Sequence, residues 1–385
     1  MRQLLAGNYA VAEAVRLSRV LLVAAYPITP QTPIYEKLSD LENEGKLSGI
    51  MMRTESEHSA MAACISASLT GVRTFTATAS QGLALMHEML HFAAGNRVPI
   101  VMCNVNRVVS APWAFGSDQS DTLSQRDTGW MQFYCEDAQE AFDTVVQAYR
   151  IAEEALFPVI VAIDGFFTSH FIEPIEIPDQ EAIDAFLPPF AIPTRFSIED
   201  PAYVTNVVNG EQYMGYRRRS FNDMENARPV IDRVDREYRE VFGRGYGVIE
   251  AVNTDGAEIV LVTSGAMTST ARVAIDALRA KGYKAGLLKM KAFRPFPARE
   301  VREALKSVPK VAVIDRNISI GKEGIWCQEL KAALYSLDRR PMVTGFIAGI
   351  CGADVSPDMI EDMVLSTLKR DEPLELPTWV RRDPW

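Results

Sequence analysis

The sequence of 385 residues is poor in cysteine and histidine and has no long apolar run. Each shortage excludes something. Five scattered cysteines, Cys64, Cys103, Cys135, Cys327 and Cys351, form no CxxC pair. A zinc finger or an iron–sulfur cluster held by this chain is therefore not expected, and the chain reads as reduced and cytoplasmic. Of the four histidines, His87 and His91 have the spacing that puts two imidazoles on one helix face. No third ligand is evident, so packing is the plainer reading and no metal ligands are assigned. No stretch approaches the ~20 apolar residues that span a bilayer. The longest run, 20–26, suits a buried strand. Residues 1–18 carry Arg2, Glu13 and Arg16, and no signal peptide is expected. Basic residues are outnumbered, 40 against 50, and the net charge of −10 argues against a nucleic-acid-binding surface. Also missing are GxGxxG after a strand, GxxxxGK(S/T), GxSxG and HExxH. Their absence argues against a Rossmann dehydrogenase, a P-loop NTPase, an α/β-hydrolase and a zincin.

What is present is an ordinary globular balance, 48% hydrophobic and 23% charged, enough apolar material for sizeable cores. Strand and helix patterns alternate from the start. Helices are predicted over 7–18, 34–44, 57–69, 83–94 and 137–155. Strands are predicted over 20–26, 49–53, 73–78, 99–105 and 159–164. Residues 80–82 read as a tight turn, and 106–126 as a long stretch with little period. Such alternation means a parallel α/β sheet, whose ligands bind beyond the carboxyl ends of the strands. Residues 171–246 break the rhythm with Pro174, Pro178, Pro188, Pro189 and Pro193, and read as a linker and docking extension. Their Arg217-Arg218-Arg219 cluster is either a solvated face or a contact for an acidic partner. From 248 the rhythm returns, with strands over 258–263, 285–289, 310–315 and 342–347 and helices between them.

Four polar groups follow predicted strands and fall on one rim: Thr29, Glu57, Ser80 and Arg107. Glu57 opens a helix rich in small residues, Ser59, Ala60, Ala62, Ala63, Ser66, Ala67 and Ser68. Such a helix packs closely on a sheet and puts the carboxylate beside a dry interior. Glu57 is either a catalytic carboxylate or a surface acid capping an ordinary helix. Arg107 has the planar fork that holds a substrate carboxylate, or it makes a structural salt bridge with Asp118 or Asp121.

The blocks YPITPQTP, TESEHSA, TATASQGL, NRVVSAPW and SDQSDTLSQRDTGW closely resemble, in that order, blocks of the α subunits of 2-oxo acid:ferredoxin oxidoreductases. The nearest likeness is to the pyruvate-type enzymes and their relatives acting on other 2-oxo acids. TSGAMTSTAR, FRPFP and VIDRNISIGKEG continue it. The resemblance implies an α/β chain with a pyrimidine-type thiamine diphosphate domain over 1–170 and the extension over 171–246. A smaller transketolase C-terminal-like domain would follow over 247–385. It implies oxidative decarboxylation of a 2-oxo acid, with coenzyme A as acyl acceptor. Thiamine diphosphate would be shared with a β subunit that holds the diphosphate and Mg²⁺. A γ subunit and a ferredoxin-like subunit carrying [4Fe-4S] clusters would complete the complex, with a flavoprotein subunit where NAD rather than ferredoxin is the acceptor.

In the family, the glutamate at the Glu57 position bonds the pyrimidine ring nitrogen. Burial raises a carboxyl pKa in the direction that such a shared proton needs, at about 1.4 kcal/mol per unit. Glu55 is the alternative acid, and the spacing to the following Ser-Ala favours Glu57. Pro27, Ile28, Ser80 and Gln81 fall at cofactor-contacting positions. Thr29 and Arg107 match positions that hold the carboxylate and carbonyl of the substrate. One departure concerns the acyl pocket. Pyruvate-type relatives read close to NIWGDHSD after SAPW, whereas this chain reads AFGSDQSD, with Gly116 in place of a bulky indole and Phe115 beside it. Loss of the indole predicts room for a substrate bulkier than pyruvate, such as the aryl acid phenylglyoxylate, with Phe115 as a stacking partner. Two other classes stand beside this reading: a non-oxidative thiamine decarboxylase or carboligase subunit, and a non-catalytic scaffold.

Overall fold

The computed structural model of the chain describes residues 2–381 apart from 194, 195, 200, 202, 204 and 205. Two sheets organise it. The first runs in the order Ala292–Arg294, Met131–Tyr134, Val159–Asp164, Val101–Asn106, Thr74–Thr78, Leu22–Ala25, Ile50–Arg53. All neighbours are parallel except the first pair. Helices Gly7–Leu17 and Ala138–Ala155 cover one face, where Val11, Val15, Phe142 and Val146 join Phe75, Val101 and Val161 in one buried core. The other face carries Glu57–Ser68, whose Ala60, Met61, Cys64 and Ile65 pack with Leu83, Leu90 and Trp130. Its many small residues let this helix pack closely over the strands.

The chain order reverses between Leu22–Ala25 and Thr74–Thr78, which are adjacent in register, Leu22 beside Thr74. Such a switch point leaves a crevice at the carboxyl ends of the two strands. The two loops that leave it carry Pro27, Ile28 and Thr29 on one side and Ser80 and Gln81 on the other. Topology therefore brings these residues together.

The second sheet runs Thr378–Trp379, Met342–Ile347, Lys310–Asp315, Ile259–Ser264, Ala285–Met290, Ile249–Val252, parallel except for the last pair. Met267–Ala280 and Pro357–Leu368 cover one face, and Ala298–Leu305 and Ile325–Leu334 the other.

Several elements differ from the sequence expectation. The helix expected from 83 begins at Ser80, as Ser80–Leu85 followed by His87–Gly95. Ser80 has φ of 50°, a left-handed turn rare for a residue with a side chain. Its N–H donates to Asp121 Oδ2 at 2.9 Å and its hydroxyl to the Val108 carbonyl, and these bonds hold the turn. Met131–Tyr134 is a buried strand that lacks alternation, so its period says nothing. Ala292–Arg294 pairs with it from the second half of the chain, and Arg2–Ala6 pairs with Ile172–Glu176. Within 171–246 the chain also forms Gln180–Phe186, Gly210–Asn226 and Arg228–Phe242. The last of these buries Ile231, Val234 and Tyr238 in the first core.

Candidate active site

Glu57 is the first residue of its helix, whose cap is Ser56, accepting from the Ser59 N–H at 3.2 Å. The Glu57 side chain is only 5% exposed. Burial raises its carboxyl above the ordinary range, opposed by its own backbone N–H. That backbone bond aside, no hydrogen bond to the carboxylate is found among the described residues. Beneath it lies Gly82: a Cβ there would stand 2.4 Å from Glu57 Oε1 and from Thr78 Oγ1. Glycine at 82 is thus the vacancy into which the carboxylate fits. Glu55, by contrast, is exposed and accepts from the Ser59 hydroxyl, which holds its pKa down. Of the two acids, only Glu57 sits in a dry setting.

Arg107 follows the strand Val101–Asn106 and is 4% exposed. Its guanidinium donates to the Thr29 carbonyl at 2.7 Å and to Gln81 Oε1, while its Nε has no partner. Gln81 in turn donates to Ser110, and the Ser80 hydroxyl lies within 2.5 Å of Gln81 Oε1. Neither Asp118 nor Asp121 pairs with the guanidinium. Asp118 accepts from the Ser120 N–H at 2.9 Å, and Asp121 takes the backbone N–H of Arg107 at 3.1 Å. Burial lowers the Arg107 pKa, partly opposed by the Asp121 charge. A buried cation without a carboxylate partner is costly, and an anionic substrate offsets that cost.

The structure thus joins Thr29, Ser80, Gln81 and Arg107 in one hydrogen-bonded network, with Glu57 against the same turn through Gly82. Pro27 and Thr29 are exposed on the rim, and Ile28 is half-buried. The Phe115 ring is 60% exposed, and its centroid lies 5.4 Å from the Arg107 guanidinium. Gly116 needs a correction. The space expected beside it is filled, because a Cβ at 116 would stand 1.8 Å from the Cys351 carbonyl and 2.9 Å from its Sγ. The loop is pressed against the second sheet's unit: the Gly352 N–H donates to the Ser117 carbonyl at 2.7 Å, and Arg316 Nη2 donates to the same oxygen at 3.1 Å.

Sequence reasoning missed Asp121, Gly82, Asn8 and Gln31 as positioning residues. Asp121 is fully buried and accepts from the N–H groups of Ser80, Arg107 and Thr122 and from Asn104 Nδ2, the last at 2.9 Å. Burial pushes its carboxyl up to about 7, against these bonds. A signal was present: Asn104 and Asn106 stand two apart in an otherwise apolar strand, where asparagine is disfavoured, so both face one buried polar patch. Asn8 Nδ2 donates to the Pro30 carbonyl at 3.0 Å, and Gln31 Oε1 accepts from the Ile28 N–H at 3.3 Å. Together they pin the loop that carries Thr29. His87 and His91 meet edge to face at 4.9 Å, and His87 bonds Gln125.

A parallel sheet with a switch-point crevice, a buried acid opening a small-residue helix, and a second α/β unit define a transketolase-type architecture. Comparison agrees. A split-gene transketolase superposes with a TM-score of 0.58 at 14% identity, covering 94% of this chain and 98% of that one. The 2-oxoglutarate:ferredoxin oxidoreductase of Magnetococcus marinus superposes at 0.74 with 23% identity, over 96% of this chain and 65% of that chain. The family model described as pyruvate flavodoxin/ferredoxin oxidoreductase, thiamine diphosphate-binding, matches residues 13–236, and that of pyruvate:ferredoxin oxidoreductase core domain II matches 257–360. Pyruvate synthase subunit PorA of Methanothermobacter thermautotrophicus is 45% identical over 98% of this chain and 97% of its own length. Ketoisovalerate oxidoreductase subunit VorA of Pyrococcus horikoshii is 45% identical over 97% of each. The chain belongs to the 2-oxo acid:ferredoxin oxidoreductase family, as an α subunit.

Proposed function

We propose that this chain forms part of a cytoplasmic complex that decarboxylates a 2-oxo acid, delivers the acyl group to coenzyme A and releases electrons to [4Fe-4S] clusters on partner subunits. Thiamine diphosphate, when bound, supplies the electron sink at the carbon where the carboxylate is lost. The residues fit the pyrimidine half of that cofactor. Glu57 is buried in a place that Gly82 keeps open, with a carboxyl free to share a proton with a ring nitrogen. Ser80 and Gln81 adjoin Gly82, and Pro27 and Ile28, on the loop that Arg107 holds through Thr29, are assigned to the same cofactor. The diphosphate and its Mg²⁺ are assigned to a partner β subunit. A γ subunit, a ferredoxin-like cluster subunit and, where NAD is the final acceptor, a flavoprotein complete the assembly.

This chain's own residues hold and orient. Glu57 keeps a proton at the ring nitrogen, and its burial favours the protonated form. Arg107 binds the substrate carboxylate with the Thr29 loop, and Gln81 fixes the guanidinium plane. The substrate side chain rests against Phe115, which favours acids bulkier than pyruvate, aryl acids such as phenylglyoxylate included. Because Cys351 occupies the space beside Gly116, that preference rests on the exposed face of Phe115. The observation that carries the reading is the pairing, in one crevice, of a buried acid lacking a side-chain donor with a buried arginine lacking a carboxylate.

Glu57→Gln tests it in the purified complex. The amide cannot share the proton, so 2-oxo acid-dependent acceptor reduction falls by about 100-fold or more, with subunit composition unchanged. Full turnover by this variant would leave only a scaffold role. Rates with pyruvate, 2-oxoisovalerate and phenylglyoxylate measure the substrate preference, and exclusive use of pyruvate would remove the Phe115 assignment.

A further inference from the structure

The helix Gly210–Asn226 runs for 17 residues and buries none of them. Its C-terminal end is tied down: Asp223 pairs with Arg97, and Met224 packs on the first core. The part before that is exposed, with Arg217 near enough to His91 to act on its charge. There Tyr213, Met214, Tyr216 and Phe221 are 59%, 69%, 53% and 68% exposed. At about 3.6 residues per turn, Tyr213, Arg217 and Phe221 follow one another along one face. Four large apolar side chains on one free helix exceed the scatter of single exposed residues on an ordinary surface.

Charge narrows the occupant. Arg217, Arg218 and Arg219 are all exposed, and among the described residues no carboxylate pairs with any of them. Arg219 lies over the Tyr216 ring, 5.7 Å from its centroid. In a chain of net charge −10, three consecutive unpaired arginines are a local reversal of sign. Their complement is acidic. Pairing of this helix with its own copy does not supply it. Residue 218 is the midpoint of the helix, so two-fold antiparallel pairing of two such helices would set the arginine triplets against each other. Aromatic anchors beside arginines are the residue types that concentrate binding energy at protein interfaces.

We propose that this helix docks an acidic protein surface of another subunit of the complex, with carboxylates meeting Arg217, Arg218 and Arg219 and an apolar recess receiving Tyr213 and Phe221. This rests on the reading that the chain works within a multi-subunit oxidoreductase. The test is photo-cross-linking in the purified native complex, with p-benzoylphenylalanine placed at Tyr213 in one preparation and at Phe221 in another. The expected result is a cross-link from at least one position to a different subunit, in a peptide of net negative charge. In Arg217→Glu/Arg218→Glu/Arg219→Glu that cross-link is lost, or the subunit dissociates at lower salt than from the unaltered complex. Helix content by circular dichroism reports whether the variant is folded. A cross-link to a second copy of this chain, to nucleic acid or to a peptide without net negative charge overturns the proposal, as does the absence of any cross-link from both positions. Turnover of a 2-oxo acid is measured on the same preparations, so a complex inactive on such acids refutes the catalytic reading without deciding the contact.

Discussion

At position 82 the space for a methyl group is already taken. A Cβ there meets Glu57 Oε1 and Thr78 Oγ1 at 2.4 Å and Glu57 Cδ at 2.8 Å. Thr78 belongs to a buried strand and has little freedom to give way, so the carboxylate must move. Gly82→Ala is therefore expected to displace Glu57 and to lower turnover nearly as far as Glu57→Gln does. The accompanying loss of stability should be about 1–3 kcal/mol, as for an overpacked core site. Parallel thermal unfolding and acceptor-reduction assays check this; unchanged turnover would show that Glu57 needs no such vacancy. Much at this scale was legible in the sequence. Glu57, Arg107, Thr29 and Ser80 each follow a strand, and that rule alone put them on one rim. Gly82 was not legible as a cradle, because its role depends on a side chain 25 positions away. Gly116 was misread for the same reason: nothing local indicates that Cys351, from the other half of the chain, presses against it.

Among elements, the one that ties the site together is the short helix Ser120–Leu123, through Asp121. Its carboxylate takes the N–H of Ser80 from the turn after one strand and the N–H of Arg107 from the end of the next. The two halves of the crevice are thereby fixed to one another. The 106–126 stretch offered no period to read, since its order comes from these long-range bonds and not from an amphipathic face. Burial raises the Asp121 carboxyl from 3.8 to about 7. The sign follows from linkage: the folded chain holds a proton that the unfolded chain releases. Its contribution to stability is fully present below the unfolded pKa and is lost as pH rises through about 7. Asp121→Asn has no such proton. The stability difference, native chain minus variant, should thus decline as pH rises from about 4 to about 7 and be flat outside that window. Urea midpoints across pH 4–8 measure it. A difference independent of pH would mean that Asp121 is ionised throughout. The same elements explain what the helical and strand patterns captured. Long amphipathic helices such as Ala138–Ala155 were evident, whereas Met131–Tyr134, buried throughout, and Ala292–Arg294, which pairs with it across about 160 residues, were not.

On the scale of the whole molecule, the two sheets are held together by buried charge as well as apolar contact. Lys289, 3% exposed, lies on the second sheet and reaches Glu140 Oε2 at 2.7 Å and Glu136 Oε2 at 2.9 Å beside the first. Arg272 clasps Glu136 at 2.9 Å and Glu250 at 2.6 Å. Burial pushes the Glu136 carboxyl up, but the bonds and charges of Arg272 and Lys289 outweigh it and bring the group down to about 2. This contribution therefore has the opposite sign to that of Asp121: it is present above pH 4.5 and is lost as pH falls through about 2. Without Lys289, Glu136 keeps Arg272 and Glu140 keeps only Lys291 at 3.5 Å, so the buried group is left with one negative charge in excess. Lys289→Met should destabilise the chain by about 1.5–3 kcal/mol, as for a lost hydrogen bond between charged groups, and adding Lys291→Met, Glu136→Gln and Glu140→Gln, which leaves Arg272 with Glu250, should recover most of that loss. The cluster lies between the two sheets, so the single replacement should also split urea unfolding into two transitions, one for each sheet's unit. Circular dichroism follows the unfolding, and the fluorescence of Trp326, whose ring lies 5.2 Å from that of Tyr134 and whose N–H donates to Gln119 at 2.8 Å, reports the contact between the two units. Should the single and quadruple variants unfold at the same midpoint, the buried charges would contribute nothing net, and the two sheets would be held together by apolar contact and the Arg316–Asp164 pair.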